Sequence, residues 1–180
     1  MSRWITRDNM DEWAALFTGY AKSAYRLEGQ QVYSSPTEDA AVARFVAGQP
    51  HGLDLSWIIP KLRAAVASGR TKTLVRVVTE PPTDYTRFEL AVYPELVAEG
   101  QDIRIISVPD GTWPDDLPTH DYWQFDDQDV WRLHYHDDYT FRGAELLDGE
   151  ETIAAHLRWR DIALAQAVPL QVYQDRRGDL

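Results

Sequence analysis

Two histidines and five aspartates lie within fourteen residues, in the segment FDDQDVWRLHYHDD from Phe125 to Asp138. In a β-strand, His134 and His136 point to the same face, which is the spacing that a metal site on a sheet would use. Such a site needs a third ligand. Glu145, on the next predicted strand, is the better candidate because Asp138 falls in a turn.

The same segment can equally form a β-hairpin without any metal. The aspartates are turn-forming residues, and the histidines then lie on the solvated face of the strand. The opposite, buried face would carry Trp131, Leu133 and Tyr135. We favour the hairpin and predict no specific metal, because the pattern fixes only two ligands.

A second cluster, TDYTRFE at 83–89, stands where a predicted strand passes through two prolines into a predicted helix. Ligands often bind at such a place, because the first backbone N–H groups of the helix have no partner there. Asp84, Tyr85, Arg87 and Glu89, with the aromatic Trp123, form our candidate site for a ligand or partner. Alternatively, Asp84 favours the helix dipole while Arg87 and Glu89 form structural ion pairs.

Within the candidate site, Tyr85 and Arg87 point in different directions, roughly 200° apart around the helix. Tyr85 falls on the apolar stripe and should support the wall, and Arg87 should be available to an anionic ligand or an acidic partner.

The common catalytic motifs do not occur in the sequence. It contains no glycine-rich phosphate loop, no Gly-x-Ser-x-Gly elbow and no His-Glu-x-x-His helix. We therefore lean against an enzyme and expect no cofactor. The alternative is a small enzyme, such as a hydrolase, that uses Asp84, Arg87 and Glu89 with a histidine of the meander.

Composition narrows the classes of partner. The 180 residues contain no cysteine, which excludes disulfides and thiolate metal sites, and the formal net charge is −11. That charge argues against direct nucleic-acid binding, although Lys61, Arg63, Arg70, Lys72 and Arg76 form a basic group. The chain has neither the apolar run of a signal peptide nor a membrane span, so we expect a cytoplasmic protein that does not contact membranes.

The first 69 residues read as helical. The helical spacing of Trp13, Leu16, Phe17, Tyr20, Ala24 and Leu27 predicts one long helix that ends at Gly29. Two further helices are predicted, at 35–48 and at about 60–68. The helical region therefore spans about 8–69.

The rest of the chain, about 70–168, reads as a sheet with helices. Strands are predicted at 73–79, 102–107, 121–126, 129–136 and 140–147. One helix is predicted after Thr83, which Pro94 should kink or end early, and another at 150–167. This order predicts a single α/β (α+β) domain over 1–180, with a β-α-β unit and an antiparallel meander in a mixed sheet closed by a C-terminal helix. Residues 171–180 are expected to fray.

Four ordered motifs carry a family resemblance: RVVTEP (76–81), TDYTRFEL (83–90), DYWQFDD (121–127) and RGAELL (142–147). With RWRDIAL (158–164), they resemble an uncharacterised family of small actinobacterial proteins, a domain of unknown function. The resemblance implies a regulatory setting, because such proteins are often encoded beside helix-turn-helix regulators. More loosely, the order of elements is similar to phospholipase-D-like domains, whose catalytic His-x-Lys motif does not occur here.

Together these observations favour a cytoplasmic regulatory or interaction domain without catalysis. It would bind a small ligand or a partner protein, such as a helix-turn-helix regulator, near Tyr85, Arg87 and Trp123. The oligomeric state stays open.

Overall fold

The protein is a single domain built on one mixed sheet, and the computed structural model describes residues 3–178. The eight strands are β1 (Trp4–Ile5), β2 (Ser23–Glu28), β3 (Thr71–Glu80), β4 (Asp102–Pro109), β5 (Tyr122–Phe125), β6 (Asp129–Tyr135), β7 (Phe141–Leu147) and β8 (Val168–Pro169). The helices are α1 (Met10–Gly19), α2 (Asp39–Val46), α3 (Ile59–Ala67), α4 (Asp84–Ala98), α5 (Glu150–Gln166) and α6 (Leu170–Arg177), with a 3₁₀ turn at Arg7–Asn9.

The strand order in the sheet is β1-β7-β6-β5-β2-β3-β4-β8. The centre is parallel, because β3 pairs in parallel with both β2 and β4. From β2 outwards, the meander β5-β6-β7 adds three antiparallel strands. The two edge strands, β1 and β8, are only two residues long, which limits pairing with other chains.

Helices cover both faces of this sheet. Helices α1 to α4 and α6 pack with the face that carries Leu74, Val78 and Trp131, and their buried side chains form two adjoining clusters. Helix α5 covers the opposite face, where Val75 and Val77 are completely buried. The alternation of β3 explains this division, because successive side chains of a strand point to opposite faces.

The prediction of one long first helix is wrong. Helix α1 ends at Gly19, Tyr20 has an extended backbone, and Ser23–Glu28 is the central strand β2. Tyr20, Ala24 and Leu27 are all buried, as a helical stripe would be, but a central strand is buried on both faces and shows no simple alternation. The region 8–69, which the sequence indicates as helical, therefore contains the central strand β2 of the sheet.

The remaining helices and strands agree with the sequence more closely. Thr83 caps α4 by accepting a hydrogen bond from the Thr86 N–H at 3.1 Å, and Pro94 lies inside that helix without ending it. The expected fraying of residues 171–180 is wrong for 171–177, which belong to helix α6, and residues 179 and 180 lie outside the described residues. Across residues 3–178, the structure holds no helix with the length and apolar character of a membrane span.

Candidate functional site

The structure divides the five predicted site residues between two places. Tyr85, Glu89 and Trp123 are buried and line one cavity on the helical face of the sheet. Asp84 and Arg87 lie on the outer side of α4, where they are exposed and form an ion pair at 3.2 Å. The sequence cluster is thus split by the helix itself, because residues two or three positions apart face different directions.

We call the first cavity the tyrosine cavity. Its volume is about 490 Å³. It lies between the sheet and the helical layer, and its aromatic wall includes Tyr33, Tyr85, Tyr93, Tyr135 and Tyr139. Three glutamates line it as well: Glu28, Glu38 and Glu89.

Each of these glutamates already accepts a hydrogen bond. Glu28 accepts from the Arg26 guanidinium at 2.6 Å, Glu38 from the Tyr85 hydroxyl at 2.8 Å, and Glu89 from Arg76 at 2.7 Å and 2.9 Å. Burial raises the pKa of Glu38 and that of Glu89, and for Glu89 the neighbouring Arg76 guanidinium opposes this effect. The carboxyl groups of the tyrosine cavity are therefore occupied by internal donors.

Asp121 fixes one side of the tyrosine cavity. Its carboxylate accepts hydrogen bonds from the Gly29 N–H at 2.8 Å, from the Tyr135 hydroxyl at 3.0 Å and from the Tyr33 hydroxyl. The Tyr33 ring in turn lies between two guanidinium groups, those of Arg26 and Arg76, at 5.9 Å and 5.6 Å from the ring centroid. One buried carboxylate thereby orients two tyrosines of the wall.

A second cavity, the lysine cavity, adjoins the first and has a volume of about 550 Å³. Its apolar wall comes mainly from α1, α3 and the sheet, with Met10, Trp13, Phe17, Leu62 and Ala65 among its members. The two cavities share Trp13, Arg26, Trp57, Ile58, Lys72 and Trp123.

The charges of the lysine cavity are strongly unequal. Arg26, Lys61 and Lys72 line it, against one carboxylate, Asp11, which is exposed. This is opposite to the chain as a whole, whose net charge is −11. An apolar cavity with an excess of cations favours an organic anion.

Lys72 is the most unusual of these cations. Within residues 3–178 its ammonium has no hydrogen-bond or ion-pair partner, and it lies 5.7 Å and 5.5 Å from the ring centroids of Phe17 and Trp123. Burial, together with the positive charges of Arg26 and Lys61, lowers the pKa of Lys72 to about 8. The cavity therefore holds a positive charge that lacks a counter-charge.

Other polar atoms around the two cavities also lack partners within the described chain. Arg26 Nε, Tyr93 Oη, Gln101 Oε1 and Trp123 Nε1 are buried and have no hydrogen-bond partner. All four residues line the tyrosine cavity, and two of them also line the lysine cavity. Buried polar groups usually find partners, so this concentration indicates a place where bound molecules complete the hydrogen bonding.

The lowered pKa of Lys72 predicts how the free energy of unfolding depends on pH. Between pH 8 and pH 10.5 the unfolded chain holds more protons on this amine than the folded chain does, so the free energy of unfolding should rise with pH through that window. Urea unfolding between about pH 7 and about pH 9.5 should show this rise in the native protein. Lys72→Met should reduce the rise and Lys22→Met should not; parallel curves for all three proteins would contradict the assignment.

The histidines of the meander lie away from both cavities. His134 is on the sheet face opposite to Trp131 and Leu133, where it contacts Glu145 at 3.1 Å and packs on the Trp4 ring. A shift of register between His134 and Tyr135 interrupts the alternation before His136. No group of three or more possible metal ligands occurs in residues 3–178. The expected burial of Trp131 and Leu133 is confirmed.

The basic group seen in the sequence is dispersed by the fold. Arg76 is completely buried, Lys72 faces the two cavities, and Arg63 is paired on the surface with Glu99. Sequence reasoning missed Arg26, Lys61 and Lys72 as site residues. A signal was present for Lys72 alone, since it shares one strand face with the buried Leu74.

Comparisons with known proteins identify the family of this chain but no activity. Residues 11–175 match the model of a family described as "Domain of unknown function (DUF6879)". No protein of curated function matches the sequence. Among solved structures, the chain is similar to the archaeal chromatin protein TrmBL2, described as showing a novel mode of DNA binding, at 9% identity and a TM-score of 0.49. That match covers 92% of this chain and 52% of that chain, so this chain spans about half of its length.

This similarity corrects one inference from composition. The net charge of −11 led us to exclude nucleic acid as a direct partner, and the match to a DNA-binding protein contradicts that exclusion. The physical reason is that a net charge is a sum over the whole chain, whereas binding depends on where the charges lie. The lysine cavity illustrates the difference, because three cations collect in one wall of an acidic protein.

Proposed function

We propose that this chain, which belongs to the domain-of-unknown-function family DUF6879, is a ligand-binding domain whose lysine cavity takes a small organic anion with an apolar body. The observation that carries the proposal is the unpartnered ammonium of Lys72, held beside Arg26 and Lys61 in an apolar cavity. A carboxylate in this place would relieve the repulsion among the three cations. The aromatic side chains around them would pack against the rest of the ligand.

The residues that line both cavities also support an anion site. Arg26 and Lys72 both lie over the Trp123 ring, at 5.4 Å and 5.5 Å from its centroid, and Arg26 and Trp123 are direct neighbours on adjacent strands. Arg26 gives only part of its guanidinium to Glu28, through Nη2. The remaining donors of Arg26 and the amine of Lys72 are suited to the two oxygens of a carboxylate.

The two groups of predicted site residues then take different roles. Tyr85, Glu89 and Trp123 belong to the walls of the two cavities, and Trp123 is the one that would touch the anion. Asp84 and Arg87 are exposed on α4 and are available to a protein partner. We propose a cytoplasmic, regulatory setting for this binding, since the sequence motifs resemble those of proteins encoded beside helix-turn-helix regulators.

The alternative of a hydrolase has less support. It requires Asp84, Arg87 and Glu89 to act with a histidine of the meander. Glu89 faces the tyrosine cavity while Asp84 and Arg87 face solvent, and His134 lies on the other face of the sheet. A general base must reach the reacting atom, and these four groups do not converge on one point.

Calorimetric titration with phenylacetate and with its neutral counterpart phenylacetamide tests the proposal. We expect phenylacetate to bind and phenylacetamide to bind at least about tenfold more weakly, because a charge-assisted hydrogen bond is worth about 1.5–3 kcal/mol. Lys72→Met should weaken phenylacetate binding by a similar factor. Binding should also weaken as the pH rises through 8, because the amine then loses its charge.

Lys22→Met is the matched control. Lys22 is exposed at the start of β2, and its backbone N–H, which the substitution keeps, donates to Asp126. This variant should bind phenylacetate as the native protein does. Equal affinity for the acid and the amide would overturn the anion site.

A further inference from the structure

The lysine cavity presents an amine as well as a positive charge. At neutral pH an ordinary lysine is almost entirely protonated, and protonated amines do not attack carbonyl groups. Salt bridges keep most partly buried lysines in that state. Lys72 has no such partner within residues 3–178, and its neighbours Phe17 and Trp123 are aromatic.

The surroundings of Lys72 also disfavour its charged form. Arg26, on the neighbouring strand, and Lys61, on α3, line the same cavity and are the charges that act on it. With a pKa of about 8, roughly one-tenth of the Lys72 side chains carry a neutral amine at pH 7. Lys22 and Lys61, which are exposed, serve as internal references because the chain contains only these three lysines.

We propose that Lys72 forms a reversible imine with a carbonyl compound that also carries a carboxylate, such as an oxo acid. This inference rests on the proposed anion site, because the same carboxylate that Arg26 and Lys61 attract would hold the carbonyl carbon beside the amine. The ligand class thereby narrows from organic anions to those with an aldehyde or ketone group.

The reaction balances without an oxidant or a reductant. The nitrogen lone pair of neutral Lys72 attacks the carbonyl carbon, and one proton passes from that nitrogen to the carbonyl oxygen, which gives a neutral carbinolamine with a hydroxyl group and restores the lone pair on nitrogen. That hydroxyl takes a further proton and leaves as water while the nitrogen lone pair forms the C=N bond. The product is a protonated imine and one water, so the cavity keeps a positive charge at position 72 and the bound carboxylate keeps its partner.

The tyrosine cavity, which adjoins the lysine cavity, provides acidic groups. Lys72 lines both cavities, and burial keeps the pKa of Glu38 above its ordinary value. A carboxyl group with a raised pKa keeps its proton to a higher pH than an ordinary glutamate does, so Glu38 is the better suited to donate to a leaving hydroxyl group. The amine thus lies between an anion-attracting cavity and a cavity with proton donors.

Reductive trapping tests the inference. The full-length protein is incubated at about pH 7.5 with 4-carboxybenzaldehyde and sodium cyanoborohydride, and the modified lysines are identified by mass spectrometry of peptides. Hydride adds to the imine carbon and leaves a stable secondary amine. We expect Lys72 to be modified at least about tenfold faster than Lys22 or Lys61, because more of it is neutral. Phenylacetate should slow the labelling of Lys72 alone.

Two controls separate this inference from the proposed function. Lys72→Arg keeps the cation but has no amine that forms this imine, so it should bind phenylacetate and lose the trapped product. Phenylacetate binding without selective labelling of Lys72 overturns the imine and leaves the anion site standing. Selective labelling of Lys72 without phenylacetate binding overturns the anion site and, with it, the requirement that the carbonyl compound carry a carboxylate, and leaves only the reactive amine. Equal labelling of the three lysines overturns the proposed imine at Lys72, and this outcome is measured on the native protein alone.

Discussion

Replacing Glu89 with leucine is expected to lower the free energy of unfolding by about 3–5 kcal/mol. Glu89 accepts two hydrogen bonds from Arg76, from Nε at 2.9 Å and from Nη2 at 2.7 Å, and Arg76 is completely buried at the centre of β3. Without Glu89, a guanidinium that cannot lose its proton stays in the core without a carboxylate. Urea unfolding of the folded variant measures the loss.

Two further variants show whether the charge is responsible. Glu89→Gln keeps the shape and one acceptor oxygen, so it should cost less than Glu89→Leu. The double variant Arg76→Met with Glu89→Leu removes both charges and should recover a large part of the stability, because well-packed apolar pairs often replace buried ion pairs without loss. If Glu89→Leu costs under about 1 kcal/mol, the pair does not stabilise the fold in this way.

The Arg76–Glu89 pair explains why part of the site could be read from sequence and part could not. Glu89 was placed in the candidate site because it follows Tyr85 on a helix that begins at the end of a strand. That position does bring Tyr85 and Glu89 to the tyrosine cavity. Arg76, however, belongs to the basic group that the sequence shows from Lys61 to Arg76, and it is a buried partner of Glu89 only because both faces of β3 are covered.

The central strand β2 shows the limit of periodicity most clearly. Ala24 and Leu27 continue the spacing of Trp13, Leu16 and Tyr20, so the pattern predicts a helix. In the fold, Arg26 and Glu28 lie on the helical face of the sheet, paired with each other at 2.6 Å. Charged residues normally indicate a solvated face, and only tertiary pairing with β3 and β5 turns this segment into the centre of the sheet.

The second half of the chain was predictable because its patterns act locally. Strands β5, β6 and β7 are joined by short turns, so alternation and turn residues determine their pairing. Parallel pairing between β2 and β3 instead joins segments about fifty residues apart, and no local pattern specifies it. The lysine cavity depends on that pairing, since Arg26 comes from β2 and Lys72 from β3. Its cations therefore could not be grouped from sequence.

Removing the carboxylate of Asp121 is expected to lower the free energy of unfolding by an amount similar to that of Glu89→Leu. Asp121 is 4% exposed, and it joins the loop after β2 to the end of β6 through hydrogen bonds from Gly29, Tyr33 and Tyr135. Asp121→Ala leaves these three partly buried donors without their acceptor. Because hydrogen bonds to charged groups contribute about 1.5–3 kcal/mol each and are not additive, we expect a loss of about 3–4 kcal/mol in the free energy of unfolding.

Single substitutions of the tyrosines measure how much each hydrogen bond to Asp121 contributes to this loss. Tyr33→Phe and Tyr135→Phe each remove one donor and leave the carboxylate with the others, so each should cost about 1.5 kcal/mol, the lower end of that range. Asp137→Ala is the matched control, because Asp137 is an exposed aspartate in the turn after β6 and should change stability by under about 0.5 kcal/mol. If Asp121→Ala proved no worse than Asp137→Ala, the carboxylate would not hold Tyr33 and Tyr135 in the wall. The tyrosine cavity would then owe its shape to packing alone.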